Sequence, residues 1–505
     1  MEPLTGLDSA FLALETPTAR IHVGAVLLLD PAVGAPLAPG ERFDAIRRMI
    51  GGRLHLVPQF RQRAVRLPLD LLPPMWVDDP GFSLDDHVRR ASLPAPGRRA
   101  ELDELVGDVM ARPLPTDRPL WEMVVVEGLD GDRTALVAKL HHAILDGVSA
   151  ATTMAAFFDL APSTPPGPAE AEADAPRTAG WDPPPLPSPA ELLRHALASL
   201  ARQPEAVLGA VQMGADALVE VAEHNRRLAA TGAVPPPSPF HAPRTQVNGT
   251  LSSARSFARV SIALDDITRL RRAAGPGTHG GNVYPPPTFN DVILCAVGMA
   301  TERFLERRGE VPERPLVALV PVSNRLPGRV GPAVTPVGGR YLGNEVSGML
   351  VGLGSAEATQ LDRLRAVAAA VRIAKEQEEL AWGRLLEGVA RATPHALTSW
   401  GARGATWLRL FDRVPPLFNL VVSTVPGPDV PLWVAGLPVA AAFPVGPVAH
   451  GVGLNVTTLT HHGTVHAGLL ACRRRVPEVA ELAGLLAEAV DELGMAAGAH
   501  RGGAG

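Results

Sequence analysis

Lysine is nearly missing from this 505-residue sequence: of 47 basic residues only Lys139 and Lys375 are lysines, and the rest are arginines. Cysteine is equally scarce. Cys295 and Cys472 cannot build a disulfide framework and suit a reducing compartment. No surplus of positive charge exists either, because 52 acidic residues leave a formal net charge of -5. That balance excludes a general nucleic-acid binder, which needs basic residues to displace counterions. The opening Met1-Glu2-Pro3-Leu4-Thr5 lacks the basic start and apolar core of a signal peptide, so the expected location is the cytoplasm. Residues 430–471 carry no Asp, Glu, Lys or Arg. Pro431, Pro438, Pro444 and Pro447 interrupt that stretch, so it reads as buried strands and turns and not as a spanning helix. A phosphate-cradling glycine loop with its lysine and a serine nucleophile elbow are also missing, which removes nucleotide hydrolysis and serine-ester hydrolysis.

What is present is an ordinary globular composition, 46% hydrophobic, in a chain long enough for two to four domains. With 51 prolines and 49 glycines, the arginine bias is what a GC-rich genome produces. The guanidinium fork also suits phosphates, so composition alone names no ligand.

Helical and strand periodicities alternate along the chain. Residues 7–14, 43–50, 101–111 and 148–160 read as helices, and 21–29, 121–127 and 134–140 as strands. Residues 162–189 hold ten prolines and form a linker. A helical stretch over 189–230, broken near Pro204, follows; it could pack on the domains or lie on a membrane surface. Beyond it come a strand at 256–264, a helix at 265–274, a loop at 275–287 and a helix from Asn290 to Arg307. A strand at 317–322, a helix at 358–380, strands over 418–472 and a helix at 476–493 complete the pattern. The fold class is α/β (α+β), divided into 1–161, a Pro-rich crossover at 162–250, and 251–495.

The sharpest chemical signal is His141-His142-Ala143-Ile144-Leu145-Asp146-Gly147 at the end of an apolar strand. A neutral imidazole with a pKa near 6.5 can take the proton of a hydroxyl as its oxygen attacks a carbonyl. Asp146 could hold the turn, which Gly147 permits. Core packing and a metal site are the competing explanations. Adjacent strand residues point to opposite faces, so His141 and His142 would not converge on one ion. A second group, His450, His461, His462 and His466, has no acidic or cysteine partner nearby. His462 and His466 share a face if that segment is a strand.

The histidine motif resembles the His-His-x-x-x-Asp-Gly signature of the acyl-CoA-dependent acyltransferases, which include chloramphenicol acetyltransferases and peptide-synthetase condensation domains. More narrowly, the chain resembles the bacterial wax ester synthase/diacylglycerol acyltransferase family. Gly6-Leu7-Asp8-Ser9-Ala10-Phe11-Leu12 with Ile21-His22-Val23-Gly24 is similar to that family's opening. Pro119-Leu120-Trp121, Asn290-Asp291-Val292, Pro321-Val322-Ser323-Asn324-Arg325, Gly343-Asn344 and Ser423-Thr424-Val425-Pro426-Gly427-Pro428 follow in the family's order. Two positions depart from its pattern: Thr424 stands where Asn is usual, and Asn324 where an apolar residue is usual.

The resemblance implies two chloramphenicol-acetyltransferase-like domains with an active-site tunnel between them, acyl-CoA entering on one side and an alcohol on the other. It makes His142 the general base, with His141 supporting it. Asp146 would pair with Arg325 as a lock between the domains, unless Arg325 is an ordinary strand-end arginine. Asn290, or the Ser423 and Thr424 region, would stabilise the oxyanion; N-capping is the local alternative for Asn290. Asp291 and Gly147 join the candidates for the channel, whose wall Trp121 and Pro119 would shape. The implied reaction is direct acyl transfer from a long-chain acyl-CoA co-substrate to diacylglycerol or a long-chain alcohol. It needs no metal or prosthetic group, and peripheral contact with an inner membrane or lipid inclusions is expected. A same-fold transferase with a smaller or more polar acceptor, and a silent lipid-binding or droplet-coating protein, are the alternatives.

Overall fold

The alternating periodicities are realised as two six-stranded sheets covered by helices. In this computed structural model the described residues are 2–4, 6–31, 37–38, 40–67, 72–144, 155–162, 183–200, 223, 226–227, 236–237, 240–279, 282–323, 346–354, 359–377, 401 and 404–498. The chain order is β1 (Glu2–Pro3), α1 (Gly6–Leu14), β2 (His22–Leu29), α2 (Glu41–Arg53), β3 (Gln62–Val65), β4 (Met75–Asp78), β5 (Val88–Ser92), α3 (Arg99–Ala111), β6 (Trp121–Glu127) and β7 (Thr134–His141). Then come α4 (Pro189–Leu200), β8 (Arg255–Ala263), α5 (Leu264–Ala274), β9 (Gly277–His279), β10 (Asn282–Tyr284), α6 (Phe289–Glu306), β11 (Val317–Ser323), β12 (Val346–Gly352) and α7 (Gln360–Gln377). The last part holds β13 (Leu420–Val425), β14 (Trp433–Val434), β15 (Leu437–Val445), β16 (Leu454–His461), β17 (Thr464–Cys472) and α8 (Val479–Ala496).

The first sheet runs β14-β15-β2-β7-β6-β5 and the second β12-β11-β13-β16-β17-β8. The first sheet takes its strands β14 and β15 from beyond residue 250. Strand β15 lies far down the chain, yet it pairs antiparallel with β2, Phe443 opposite Val26 and Val445 opposite Gly24. Its apolar residues complete the first half's core: Leu437 and Val439 join Leu27, Leu29, Met123 and Val125. Because β15 also packs against β16 and β17, it fastens one sheet to the other. Gly468 on β17 makes the approach possible, since a Cβ there would stand 1.9 Å from the Pro444 carbonyl oxygen.

A third core lies at the seam, where Leu102, Val106 and Val109 of α3 meet Phe257, Phe443 and Leu470. Beside it Arg259 on β8 pairs with Asp103 on α3 at 2.7 Å, both side chains nearly buried. Two local expectations fail. Residues 155–160 form one 3-10 turn and a bridge, Asp159 to Trp433, and not the end of a helix; the rest of 148–160 lies outside the described residues. The expected loop at 275–287 contains the β9–β10 hairpin, whose strands are too short to show a period. Of the stretch 189–230, α4 is helical, and 201–222 lie outside the described residues.

Candidate active site

Strand β7 is buried along its whole length and delivers the histidine pair to the rim of the first sheet. His141 still belongs to the strand, directly opposite His22 on β2. Its N–H donates to the Leu120 carbonyl (2.9 Å), and the His142 N–H donates to the Ile21 carbonyl (2.9 Å). The Pro119-Leu120-Trp121 and Ile21-His22 motifs thus fix the backbone on either side of the pair.

The two rings then part. His142 is half-buried, with its ring 4.3 Å from that of Phe11 on α1. His141 is 1% exposed and turns back over its own chain, its Nδ1 accepting from the Ala143 N–H at 3.0 Å. Since Nδ1 accepts, the ring proton resides on Nε2. That nitrogen faces Glu15 Oε2 at 3.4 Å. Arg20 approaches the same carboxylate at 3.2 Å and His22 Nε2 at 3.7 Å. Burial pushes the Glu15 carboxyl up, but His141 and Arg20 outweigh it and hold it below the usual carboxylate range. Burial, assisted by Lys139 and His141, pushes His22 well below 6.5, so that ring is neutral.

Lys139, two residues before His141 on the same strand, is fully buried. Its Nζ donates to the Val109 (2.9 Å) and Arg112 (3.1 Å) carbonyls at the end of α3 and lies 3.6 Å from Glu122. A cation at a helix C-terminus is favourable. Burial nevertheless brings its ammonium down to about 8, with Glu122 opposing that fall.

The other nominated residues take different places. Trp121 is sealed in the core: its indole N–H donates to the Phe60 carbonyl (2.8 Å), and its rings stack on His87 and Phe60 at 4.4 and 5.0 Å. The indole therefore supports the β6–β7 pair from behind and presents no free edge. Asn290 is exposed in the first turn of α6. The cap of that helix is Thr288 and not Asn290, because Thr288 Oγ1 accepts from the Asp291 N–H while Asp291 Oδ2 accepts from the Thr288 N–H. Asp291 thereby closes a capping box. Asp146, Gly147, Asn324, Arg325, Gly343 and Asn344 lie outside the described residues.

Ser423 and Thr424 are half-buried on β13. Thr458 Oγ1 on the neighbouring β16 lies 3.2 Å from Thr424 Oγ1. Thr458 Oγ1 also lies 3.4 Å from the Ser423 carbonyl oxygen, and since a hydroxyl carries one proton, either threonine can be the donor between the two. The next residue on β16, Leu459, packs against the first half's core, which contains Ala143 and Ile144. Strand β13 thus runs beside a strand that packs on the first half's core. Gly427 of the same motif is required by contact, as a Cβ would stand 1.9 Å from the Thr460 carbonyl oxygen.

The second histidine group is not a ligand set. His462 sits in a hairpin turn at φ 45°, off the face that carries His466 on β17. His450 Nε2 contacts Thr16 and Thr18 (2.9 and 3.2 Å) while Nδ1 accepts from the Leu251 N–H (3.1 Å). Among the described residues no group of three or more His, Cys, Asp or Glu is arranged to hold a metal ion. Two surface clefts, one beside Ser261, Asp266 and Asp491, the other beside Arg98, Arg133 and Arg259, include no nominated residue.

Residues 4–278 match the wax ester synthase/diacylglycerol acyltransferase catalytic domain. The chain belongs to that family. Residues 342–494 match the family's C-terminal domain, so both halves agree with the resemblance carried by the motifs. A Mycobacterium tuberculosis protein provisionally named a diacylglycerol O-acyltransferase is 35% identical over 503 residues, covering 99% of this chain and 98% of its own. A second protein from that organism, named likewise, is 31% identical over 511 residues, covering 98% of this chain and 90% of its own. The solved wax ester synthase/diacylglycerol acyltransferase of Marinobacter aquaeolei VT8 superposes with a TM-score of 0.65 at 26% identity, covering 98% of this chain and 100% of that one. The trichothecene 15-O-acetyltransferase of Fusarium sporotrichioides shares the fold alone, with a TM-score of 0.58 at 11% identity, covering 97% of this chain and 94% of that one. The chain is an acyl-CoA-dependent acyltransferase of the wax ester synthase/diacylglycerol acyltransferase family with the two-domain fold.

Two features of the site escaped the sequence. Phe11 is visible in the opening motif, but nothing local assigns its ring to His142. Glu15 follows α1 with no motif of its own; its one signal is an acid a few residues before an apolar strand.

Proposed function

We propose that this chain transfers a long-chain acyl group from acyl-CoA to the free hydroxyl of diacylglycerol, and to long-chain alcohols as second acceptors. The observation that carries this reading is the fixed, half-buried His142 at the end of β7, with its backbone held by Ile21 and its ring against Phe11. The imidazole takes the acceptor's hydroxyl proton while that oxygen attacks the thioester carbonyl. The tetrahedral oxyanion collapses, the C–S bond breaks, and the departing sulfur takes the proton back from the imidazolium as CoA thiol. No covalent acyl-enzyme, metal or prosthetic group enters this scheme. The oxyanion needs a donor in place; the half-buried hydroxyls of Ser423 and Thr424 on β13 are favoured over the exposed Asn290. Asp146 with Arg325 remains our proposed lock between the halves. Diacylglycerol ranks first among acceptors because the mycobacterial relatives carry its name.

The test is CoA release from palmitoyl-CoA by the purified chain with dioleoylglycerol or hexadecanol, alongside His142→Ala. Acceptor-dependent release that falls by about 10²–10⁴-fold in the variant supports the reading. No acceptor-dependent release from folded protein rejects it and leaves a more polar acceptor or a binding role.

Contact with a lipid surface belongs to the same proposal. Trp407 is 82% exposed and is followed by exposed Leu408, Leu410, Val414 and Leu417, with Arg409 and Arg413 between them also exposed. Aromatic and apolar side chains beside arginines suit an interface with anionic headgroups. No helix among the described residues is long and apolar enough to cross a membrane. Flotation with phosphatidylglycerol vesicles should carry the wild type and lose a Trp407→Ser/Leu408→Ser/Leu410→Ser variant; equal flotation would reject the surface.

A further inference from the structure

We infer that Glu15 is a positioning residue for the acyl transfer, acting through His141 to fix the turn that presents His142. The inference rests on the reading of His142 as the base. It starts from a chemical peculiarity: a carboxylate with a side chain only 15% exposed stands at the foot of the histidine pair, and the proposed reaction leaves it unused.

Each link is a contact. The turn after β7 is closed by the Ile144 N–H donating to the His141 carbonyl (3.0 Å) and by the Ala143 N–H donating to His141 Nδ1 (3.0 Å). The second bond exists only while Nδ1 is unprotonated, so the ring proton must stay on Nε2. A buried N–H without a partner is costly, and the one acidic group facing Nε2 among the described residues is Glu15, whose Oε2 lies at an ion-pair distance of 3.4 Å without a closed hydrogen bond. A ring that lost this acceptor would gain by moving its proton to Nδ1 or by rotating. Either change removes the support under Ala143, the residue next to the base. His22 does not replace Glu15, because its ring stands 6.0 Å from that of His141, centroid to centroid, and its Nε2 is directed to the other carboxylate oxygen at 3.7 Å. Arg20, at 3.2 Å, offers the carboxylate a counter-charge but offers Nε2 nothing to accept its proton.

The same short segment does a second job. Phe11 on α1 packs on His142, Glu15 follows α1 directly, and Ile21 accepts from the His142 N–H. Three points within residues 11–21 therefore hold the two histidines from one side. Carboxylates that orient a histidine through its far nitrogen are a general device for fixing tautomers. Here the oriented histidine is the neighbour of the base, and the turn between them carries the effect.

The experiment uses the full chain with ring-15N-labelled histidine. The 15N spectrum of His141, assigned by its loss in His141→Asn, reports the tautomer without any need for activity. Wild type should show a single Nε2–H form, and Glu15→Leu a mixture of forms or a protonated Nδ1. In parallel, Glu15→Leu should lower kcat about ten-fold with KM within about two-fold, and Glu15→Asp should restore part of kcat. An unchanged His141 tautomer in Glu15→Leu overturns the inference, as does a changed tautomer with kcat intact, or a loss confined to KM. If Glu15→Leu does not fold, Glu15→Met, of similar length and without an oxygen acceptor, is judged by the same criteria. A wild-type chain without acyl transfer rejects the proposed function separately, and the spectra then still decide whether Glu15 sets the tautomer.

Discussion

Two histidine pairs stand at the ends of central strands in the two six-stranded sheets, His141-His142 after β7 and His461-His462 after β16. As dipeptides they are equivalent. Their surroundings are not. The first pair meets α1 through the Phe11 ring, faces the Glu15 carboxylate, and is held by carbonyls from Leu120 and Ile21. The second turns a hairpin: His462 and Gly463, at φ 45° and 74°, form the two-residue loop between β16 and β17, a pattern of positive φ at both positions. Burial lowers His461 without any carboxylate to offset it, and His462 is exposed. A histidine becomes a base through partners that fix its ring and its proton, and those partners come from other parts of the chain.

Several substitutions would break or sharpen this contrast. The largest effect is expected from His142→Ala, about 10²–10⁴-fold in kcat, whereas His462→Ala should leave kcat within two-fold of wild type by about the same assay error. Comparable losses at both positions in the CoA-release assay would erase the distinction. Lys139→Met should destabilise by about 3 kcal/mol in urea unfolding, because it leaves Glu122 and two helix carbonyls without their partner. The ammonium titrates at about 8 in the folded chain instead of 10.5, so the unfolded chain holds the extra proton between those values. Wild type should therefore gain stability relative to Lys139→Met as pH rises from 8 to 10.5. A difference that is flat over that window would mean that the ammonium is not desolvated.

His450 gives the acid counterpart in the second half. Burial, with Arg255 nearby, lowers it to about 4, so the unfolded chain takes up a proton first as pH falls from 6.5. Its stability contribution is complete above 6.5 and lost toward 4. Urea midpoints measured across that range should fall less steeply in His450→Gln than in wild type. The smallest effect is expected from His462→Asn, which keeps a residue tolerant of positive φ. Its stability should move by less than about 0.5 kcal/mol, with transfer unchanged; a large loss of transfer would make the second pair functional after all.

Much of the fold was legible where the signal is local. The buried strands 121–127 and 134–140 and the helices α3, α6, α7 and α8 follow from hydrophobic period, within a few residues at each end. The failures have a common cause. Strands β3, β4, β5 and β9 are only three to five residues long, too short for a period to emerge. The reading of 148–160 as one helix took apolar spacing for structure where, at 155–160, a bridge to Trp433 decides the conformation. Asparagine favours the cap position, the local alternative for Asn290, yet Thr288 two residues earlier closes the box with Asp291. The indole N–H of Trp121 donates to the Phe60 carbonyl, a contact sixty-one residues away along the chain that its motif does not announce.

The sequence alone determined which segments alternate at period two, which bury a helical stripe, and, through ordered motifs, which family of acyltransferases the chain resembles. These are properties of neighbours along the chain, where side-chain period and turn chemistry act directly. Only the tertiary structure decided that β15 completes the first sheet from the second half, and that Glu15 and Phe11 meet the histidine pair. Such pairings join residues far apart in sequence. Their selection comes from which buried surfaces and polar groups satisfy one another once the whole chain has packed.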